Sequence, residues 1–314
     1  LAIELRAAAR ASNDFATADA IRDGLVAAGV TLEDRAGQTE WSGPPEALDA
    51  AIHGEGGPRP ASRSSKSRAR LAVDLERLFL EGRNTCALLR AGAPDAVDEI
   101  VVLGAHHDHV GTSGVGSLAP PAMRNAIHNG ADDNASGTAG VLEAAAWLAS
   151  RRGELRRSVL FLTFTGEERG LLGSRHFVDH PTVPLEKVVA MLNMDMIGRL
   201  DGRRLFIGGV KTSPAFLPIL DTLKAETGVY VVYGDGGMAP SDNTSFYAKG
   251  LPVLFFFSGM HRDYHRPTDD AEHIDAAGME KVATLAARTA FEIARLPARP
   301  AFQRVAEGGA GPPR

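Results

Sequence analysis

Residues 99–109 read EIVVLGAHHDH, so an apolar run leads directly into three histidines and one aspartate. The run 99–105 has the length and the β-branched content of a buried strand. Side chains alternate along an extended chain, which places His106 and Asp108 on one side and His107 and His109 on the other. Because only one of these pairs can face a given site, the stretch predicts a strand that ends at a polar site.

Predicted strands and helices alternate over the rest of the chain. Strands are predicted at 69–75, 84–90, 99–105, 158–164, 188–194, 204–208 and 251–257. Helices are predicted at 136–151, 170–178, 213–227 and 272–296. This alternation favours an α/β fold with a mostly parallel central sheet and helices on both faces. Such sheets gather their functional groups at the carboxyl ends of the strands.

Composition excludes several classes of protein. The chain has 314 residues, of which 44% are hydrophobic and 23% are charged, as in an ordinary globular protein. A net charge of −5 gives no polycationic signal, so nucleic acid is not an expected partner. No run reaches the roughly 20 apolar residues that a membrane span needs. The single cysteine, Cys86, excludes a Cys-rich zinc site, so any zinc must bind His, Asp and Glu.

The composition also divides the chain into segments. Residues 1–30 have helical spacing and predict a helical hairpin, followed by an extended tail at 31–41. Gly, Pro, Ser, Lys and Arg dominate 43–68, which predicts a flexible linker. The main domain is expected at 69–300 and a disordered tail at 301–314.

Four further polar clusters follow predicted strands or precede a predicted helix. Each has an ordinary structural interpretation, such as a helix cap or a solvated turn. Together with the first cluster they supply imidazoles and carboxylates without a thiolate, which suits zinc or a similar divalent ion. Two histidines with three carboxylates exceed the needs of one tetrahedral zinc, and a pair of metals about 3.5–4 Å apart accounts for the surplus. The clusters are GADDNASG at 130–137, TGEE at 165–168, NMDM at 193–196 and YHRPTDD at 264–270.

The order of these motifs resembles that of the di-zinc aminopeptidases, a family that includes bacterial leucine aminopeptidases and is related to glutamate carboxypeptidase II and glutaminyl cyclases. The resemblance covers about residues 80–300. It implies that His106 and Asp195 bind one zinc, that Glu168 and His265 bind a second, and that Asp133 bridges the two.

The resemblance also implies roles for neighbouring residues. Glu167 would be the general base that deprotonates a bridging water, Asp108 would hold His106 in one tautomer, and Tyr264 would steady the oxyanion. The family implies a cis peptide at Asp133-Asn134. His107 and His109 receive no role and are interpreted as packing or surface residues. Ser241-Asp242-Asn243 departs from the Ser-Asp-His of many members, so the local hydrogen bonding is expected to differ there.

The expected function is that of a zinc-dependent exopeptidase with two Zn²⁺ per chain, and an aminopeptidase that takes peptides with a free N-terminus is favoured. A carboxypeptidase or glutaminyl cyclase of the same fold, and a non-catalytic binding module, are the alternatives. Residues 236–239 and Met260 are candidates for an apolar substrate pocket, whereas Phe255–Phe257 are interpreted as core strand. The sequence does not determine the oligomeric state.

Residues 1–42 resemble a different protein, the C-terminal tail of cysteinyl-tRNA synthetases. The synthetase signatures His-Ile-Gly-His and Lys-Met-Ser-Lys-Ser are absent, so aminoacylation is not expected. A gene fusion or joined reading frames would account for this front end. The resemblance of residues 1–42 to a synthetase indicates the cytoplasm. Relatives of the main domain are often exported, so the sequence does not determine the compartment.

Overall fold

The structure is a computed structural model that describes residues 31–35, 38–42, 81–112, 116–123, 125–200, 202 and 204–306. The chain divides into two units, 1–80 and 81–314. In the first unit, β1 (Thr31–Arg35) and β2 (Gln38–Ser42) form an antiparallel pair, with Thr31 opposite Ser42. The extended segment predicted at 31–41 is therefore a pair of strands. The helical hairpin and the linker predicted at 1–30 and 43–68 lie outside the described residues, as does the strand predicted at 69–75.

Seven strands of the second unit form one mixed sheet, in the order β3-β5-β4-β6-β9-β7-β8. Neighbours pair in parallel except at β3-β5 and β7-β9. The strands are β3 (Thr85–Leu89), β4 (Ile100–His106), β5 (Ser158–Phe164), β6 (Val188–Met194), β7 (Leu205–Gly208), β8 (Val231–Tyr233) and β9 (Val253–Phe257). The mostly parallel sheet expected from the sequence is thus confirmed.

Helices cover both faces of this sheet, because its central strands are apolar on both sides. In β4, Val101 and Leu103 belong to one core cluster, while Ile100 and Val102 belong to another on the opposite face. The first cluster contains residues of α1 (Gly137–Ala149), α3 (Phe216–Thr227) and α5 (Ala276–Arg295). The second contains residues of α2 (Leu172–Asp179) and α4 (Asn243–Ala248). No described helix has both the length and the apolar character needed to cross a membrane.

The parallel centre of the sheet brings distant polar residues to one edge. Strands β5, β4, β6 and β9 run in the same direction, so their carboxyl ends lie side by side. His106 ends β4, and Asp195 follows directly after β6. The fold therefore collects the predicted clusters at this edge, as expected for a parallel sheet.

The structure differs from the sequence-based expectations at short elements and at the C-terminal end. Sequence analysis missed β8 and α4, which have three and six residues and are too short for a periodic signal. The tail predicted from 301 is ordered through 306: the Phe302 ring lies 5.6 Å from that of Tyr247, and the Gln303 amide donates to Thr212 O at 2.8 Å. The prediction of disorder was wrong for 301–306, and 307–314 lie outside the described residues.

Candidate metal centre

Two groups of imidazoles and carboxylates meet at Asp133. In the first group, His106 Nε2 lies 3.3 Å from Asp133 Oδ1 and 3.4 Å from Asp195 Oδ1. In the second, His265 Nε2 lies 3.3 Å from Asp133 Oδ2 and 3.0 Å from Glu168 Oε2. Each carboxylate oxygen of Asp133 thus faces a different group. The structure brings together all five residues that the resemblance implied as zinc ligands.

The contacts within these groups fit a shared metal better than direct hydrogen bonds. His265 Nε2 is buried and makes no hydrogen bond within the described residues, although two carboxylate oxygens lie within 3.3 Å. Two ligands on a tetrahedral zinc are about 3.3 Å apart, given Zn–N and Zn–O distances of about 2.0–2.2 Å. The donor set of nitrogen and oxygen atoms without a thiolate also suits zinc.

The ionisable groups of the cluster shift one another's pKa values. Burial alone would lower the pKa of His106, but the carboxylates of Asp195 and Asp133 raise that pKa well above its ordinary value. Burial also opposes the charge of His265, and Asp133 and Glu168 outweigh it and raise the pKa to about 10. For Asp133, burial favours the neutral form, yet His106 and His265 hold its pKa below the ordinary value. The buried carboxylates therefore require positive charge, which protons or metal ions can supply.

A buried polar scaffold holds the loop that carries Asp133. The Asn134 Oδ1 accepts from the amides of Gly137 and Met196, and its Nδ2 donates to Met194 O. The peptide Asp133-Asn134 is cis, as the family resemblance implied. The Asp269 Oδ2 accepts the amides of Asp132 and Asp133 at 2.9 and 3.0 Å. Asp133 is consequently held by its own amide and by the side-chain contacts of Asn134, the next residue.

Arg199 and His261 extend this scaffold behind the loop. Arg199 lies 3.2 Å from Asp269 and 3.3 Å from Asp263, and all three side chains are buried. His261 Nε2 lies 3.2 Å from Asp132 Oδ2. Sequence reasoning assigned no role to Asp269, Arg199 or His261. Asp269 was the last residue of the Tyr-His-x-x-x-Asp motif, so its position in the motif was the available signal.

Main-chain carbonyls orient the two histidines that face the carboxylates. His106 Nδ1 lies 2.9 Å from Asp108 O, and His265 Nδ1 lies 2.6 Å from Gly116 O, so each ring turns Nε2 toward the carboxylates. The contact between Asp108 and His106 thus comes from the main chain of Asp108. The Asp108 carboxylate instead accepts a hydrogen bond from the Gly166 amide at 2.6 Å and so anchors the turn before Glu167.

The Ser241-Asp242-Asn243 motif supports Asp195. Ser241 Oγ donates to Asp195 Oδ2 at 2.7 Å and accepts from Asn193 Nδ2 at 2.7 Å. Asn243, at the position where many relatives have histidine, donates to Gly237 O at 2.8 Å. Burial raises the pKa of the adjacent Asp242 to about 7. Asn243 therefore makes a contact within its own loop, and the support of Asp195 comes from Ser241 and does not involve Asn243.

Glu167 lies beside both groups and belongs to neither. Burial raises the pKa of Glu167 to about 9, and the negative charges of Asp195, Asp242 and Glu168 add to the effect of burial. Tyr264 stacks on His265, with 3.8 Å between ring centroids. Burial and the nearby carboxylates also raise the pKa of the Tyr264 hydroxyl above its ordinary value. Both residues face the same cavity as the two groups.

The cavity has a volume of about 260 Å³ and joins the polar groups to an apolar wall. Phe255 and Phe257 line it, whereas Phe256 belongs to the core on the other side of the strand. The interpretation of Phe255–Phe257 as core strand is confirmed for all three, and Phe255 and Phe257 line the cavity as well. Met260 lines the cavity as expected, and residues 236–239 do not. The remaining apolar lining comes from Met196, Pro240 and the Tyr264 ring.

His109 also lies in the site, and its interpretation as a packing or surface residue was wrong. Its Nδ1 lies 2.8 Å from Glu168 Oε1, and its side chain is 7% exposed. The alternation argument failed because β4 ends at His106, so the following residues are no longer extended. His107 is exposed, as expected for a surface residue.

Comparisons with known proteins agree with this geometry. The profile of peptidase family M28 matches residues 84–290. A probable leucine aminopeptidase of Arthroderma benhamiae is 32% identical over 220 residues, which is 66% of this chain and 57% of the relative. The chain spans about half the length of the curated relatives that it matches.

Solved structures show the same fold. A zinc aminopeptidase from Bacillus subtilis is similar with a TM-score of 0.54 and 26% identity, over 67% of this chain and 49% of the other. A glutaminyl cyclase from Porphyromonas gingivalis has a TM-score of 0.56 and 24% identity, over 67% and 77% of the two chains, and shows the fold alone. Since the profile match covers most of the chain and the fold agrees, this protein belongs to peptidase family M28.

Proposed function

We propose that this protein is a zinc-dependent aminopeptidase with two Zn²⁺ ions per chain. The observation that carries the proposal is the division of Asp133, whose two carboxylate oxygens face separate His-carboxylate groups. One metal position would be formed by His106, Asp133 and Asp195, and the other by Asp133, Glu168 and His265, with His109 close to the same three side chains. When bound, the two ions would polarise the scissile carbonyl and lower the pKa of the attacking water.

The chain's own residues supply the proton transfers. Glu167 would accept a proton from the attacking water and deliver it to the leaving amine. Burial raises the pKa of Glu167 in the metal-free protein, so this side chain favours holding a proton, as a carrier between the water and the amine must. The Tyr264 hydroxyl, on the same cavity, would donate a hydrogen bond to the oxyanion. Asp108 contributes through the Gly166 amide, because that contact places the turn that presents Glu167.

The charge of the cavity favours a substrate with a free amino group. No lysine or arginine is among the described residues that line it, so no side chain there would form an ion pair with the carboxylate of a C-terminal residue. Glu167 is the carboxylate of the described lining that is not assigned to a metal, and it could accept a hydrogen bond from an N-terminal ammonium group. The wall of Met196, Phe255, Phe257 and Met260 suits an apolar N-terminal side chain such as leucine. These features support an aminopeptidase over a carboxypeptidase.

The test combines metal content with substrate choice on the full chain. Elemental analysis should give close to two zinc ions per chain, and the protein should release p-nitroaniline from Leu-p-nitroanilide until a chelator is added. N-acetyl-Leu-p-nitroanilide, which lacks the free amine, should be inert. One zinc or none, with no release from any amino-acid anilide, would exclude the di-zinc aminopeptidase. Cleavage only of N-blocked dipeptides with a free carboxylate would identify a carboxypeptidase.

A further inference from the structure

His109 makes one close polar contact in the candidate metal centre. Its Nδ1 lies 2.8 Å from Glu168 Oε1, a distance typical of an N–H donor and a carboxylate. The next nearest carboxylate oxygen that it faces, Asp133 Oδ2, is 3.8 Å away and beyond hydrogen-bond range. The His109 and Glu168 side chains are each 7% exposed, so water screens the contact little.

The two oxygens of Glu168 have different neighbours. Oε1 faces His109 Nδ1, whereas Oε2 lies 3.0 Å from His265 Nε2. The separation of 2.8 Å between His109 Nδ1 and Oε1 is shorter than the roughly 3.3 Å between two ligands of one tetrahedral zinc. His109 is therefore placed to donate a hydrogen bond to Glu168 rather than to bind the same metal.

The surrounding residues hold the His109 ring in this position. A Cβ atom at Gly130 would come within 2.8 Å of the ring, so glycine at 130 makes room for it. The ring lies edge-on to His265, at 5.4 Å between centroids, and 6.3 Å from the ring of His128. His128 is itself held by Ser117 Oγ at 2.8 Å and Gly111 O at 3.0 Å. The orientation of His109 is thus set by packing on several sides.

We propose that His109 is a positioning residue for the second metal site. Its Nδ1–H donates to Glu168 Oε1 and thereby turns Oε2 toward the position shared with His265 and Asp133. This inference rests on the proposed function, since it requires that a metal binds there. Partners that orient metal-binding carboxylates in this way change metal affinity by about 10- to 100-fold when removed.

The experiment measures zinc affinity of the metal-free full chain by competition with a chromophoric chelator. His109→Leu removes the donor, and His109→Gln moves the amide to the Nε2 position. His109→Asn keeps an N–H near the Nδ1 position. His107→Leu is the matched control, because His107 is exposed and lies two residues away. Visible absorption of the Co²⁺-loaded forms reports whether the number of ligands changes.

We expect His109→Leu and His109→Gln to weaken the binding of one of the two zinc ions by about 10- to 100-fold, while the other ion is retained. His109→Asn should restore the affinity to within a few-fold, and His107→Leu should have no effect. The Co²⁺ spectra should keep the intensity of the wild type. If His109→Leu fails to fold, His109→Gln supplies the same comparison.

Unchanged affinity for both ions in His109→Leu or His109→Gln would overturn the inference and leave the proposed function intact. An Asn variant as weak as the Leu variant, with a changed Co²⁺ spectrum, would also overturn it and identify His109 as a direct ligand. A wild-type protein that binds no zinc would overturn both the inference and the proposed function. These results are distinguishable, because only the last involves the wild type.

Discussion

The carboxylate of Asp269 accepts the main-chain amide of Asp133 at 3.0 Å, across 136 positions of sequence. Asp269 is fully buried, and its other oxygen lies 3.2 Å from the Arg199 guanidinium. This contact connects Asp133, whose two carboxylate oxygens face separate His-carboxylate groups, to the segment that carries Tyr264 and His265. The centre is therefore braced by an ion pair that touches no expected ligand side chain.

Removal of the Asp269 carboxylate should destabilise the protein. Asp269→Ala leaves two buried amides without an acceptor and Arg199 with one fewer carboxylate, so we expect a loss of about 3–5 kcal/mol in the free energy of unfolding. Chemical denaturation of the metal-free protein measures it. Glu272→Ala removes an exposed acid three residues away and should stay within about 0.5 kcal/mol of wild type. Equal stability of the two variants would contradict the bracing role.

Replacement of Glu167 should separate catalysis from metal binding. Glu167→Gln keeps the shape of the side chain and removes the base, so we expect kcat on Leu-p-nitroanilide to fall by about 100- to 10,000-fold. Zinc content should be unchanged, because Glu167 belongs to neither ligand group. Near-normal turnover by the Gln variant would show that another group is the base.

Zinc binding should release protons and strengthen as the pH rises. Carboxylates raise the pKa of His265 to about 10 and that of His106 well above its ordinary value, so both imidazoles carry protons near neutral pH in the metal-free protein. Zinc must displace those protons. We expect the apparent zinc affinity to increase between about pH 6 and 8, with proton release seen by calorimetry in buffers of different ionisation enthalpy. A pH-independent affinity without proton release would contradict this.

The same shifts determine how the stability of the metal-free protein depends on pH. The folded-state pKa of His265 is about 10 and its ordinary value is 6.5, so the protonated folded form is favoured. This stabilising contribution is complete below about pH 6.5 and disappears as the pH rises through about 10. Denaturation of the metal-free protein at pH 6 and pH 9 should give the lower stability at pH 9, whereas the reverse order would be inconsistent with the assigned charges.

Met260 should contribute to the preference for apolar substrates. It lines the cavity with Phe255 and Phe257, so Met260→Ala removes apolar contact from the substrate side chain. We expect kcat/KM for Leu-p-nitroanilide to fall about tenfold, with little change for Ala-p-nitroanilide. Met238→Ala is the control, because Met238 is also exposed and does not line the cavity. Equal losses on both substrates would indicate a general structural effect.

Much of the architecture was accessible from local patterns. Apolar runs such as 158–164 and 188–194 coincide with β5 and β6, because strands buried on both faces have a continuous apolar sequence. The elements that were missed, β8 and α4, are short and depend on neighbours for their structure. The segment 301–306 is held by contacts with Tyr247 and Thr212. Contacts with residues so distant in sequence cannot be predicted from local composition.

The sequence by itself determined the α/β class, and the order of its motifs, through a family resemblance, indicated Asp133 and the four residues that converge on it. Residue type and strand-end position predicted that these clusters would meet, because the topology of a parallel sheet brings strand ends together. The family resemblance indicated which of their members are the expected ligands. Only the tertiary structure decided the positions of His109, Asp269 and Arg199. Their contacts join segments about 60 to 140 residues apart, and they depend on how the chain turns after each strand ends. The alternation of side chains along a strand does not extend into such turns. For this reason the sequence pattern predicted His109 outside the site, whereas the fold brings it to Glu168.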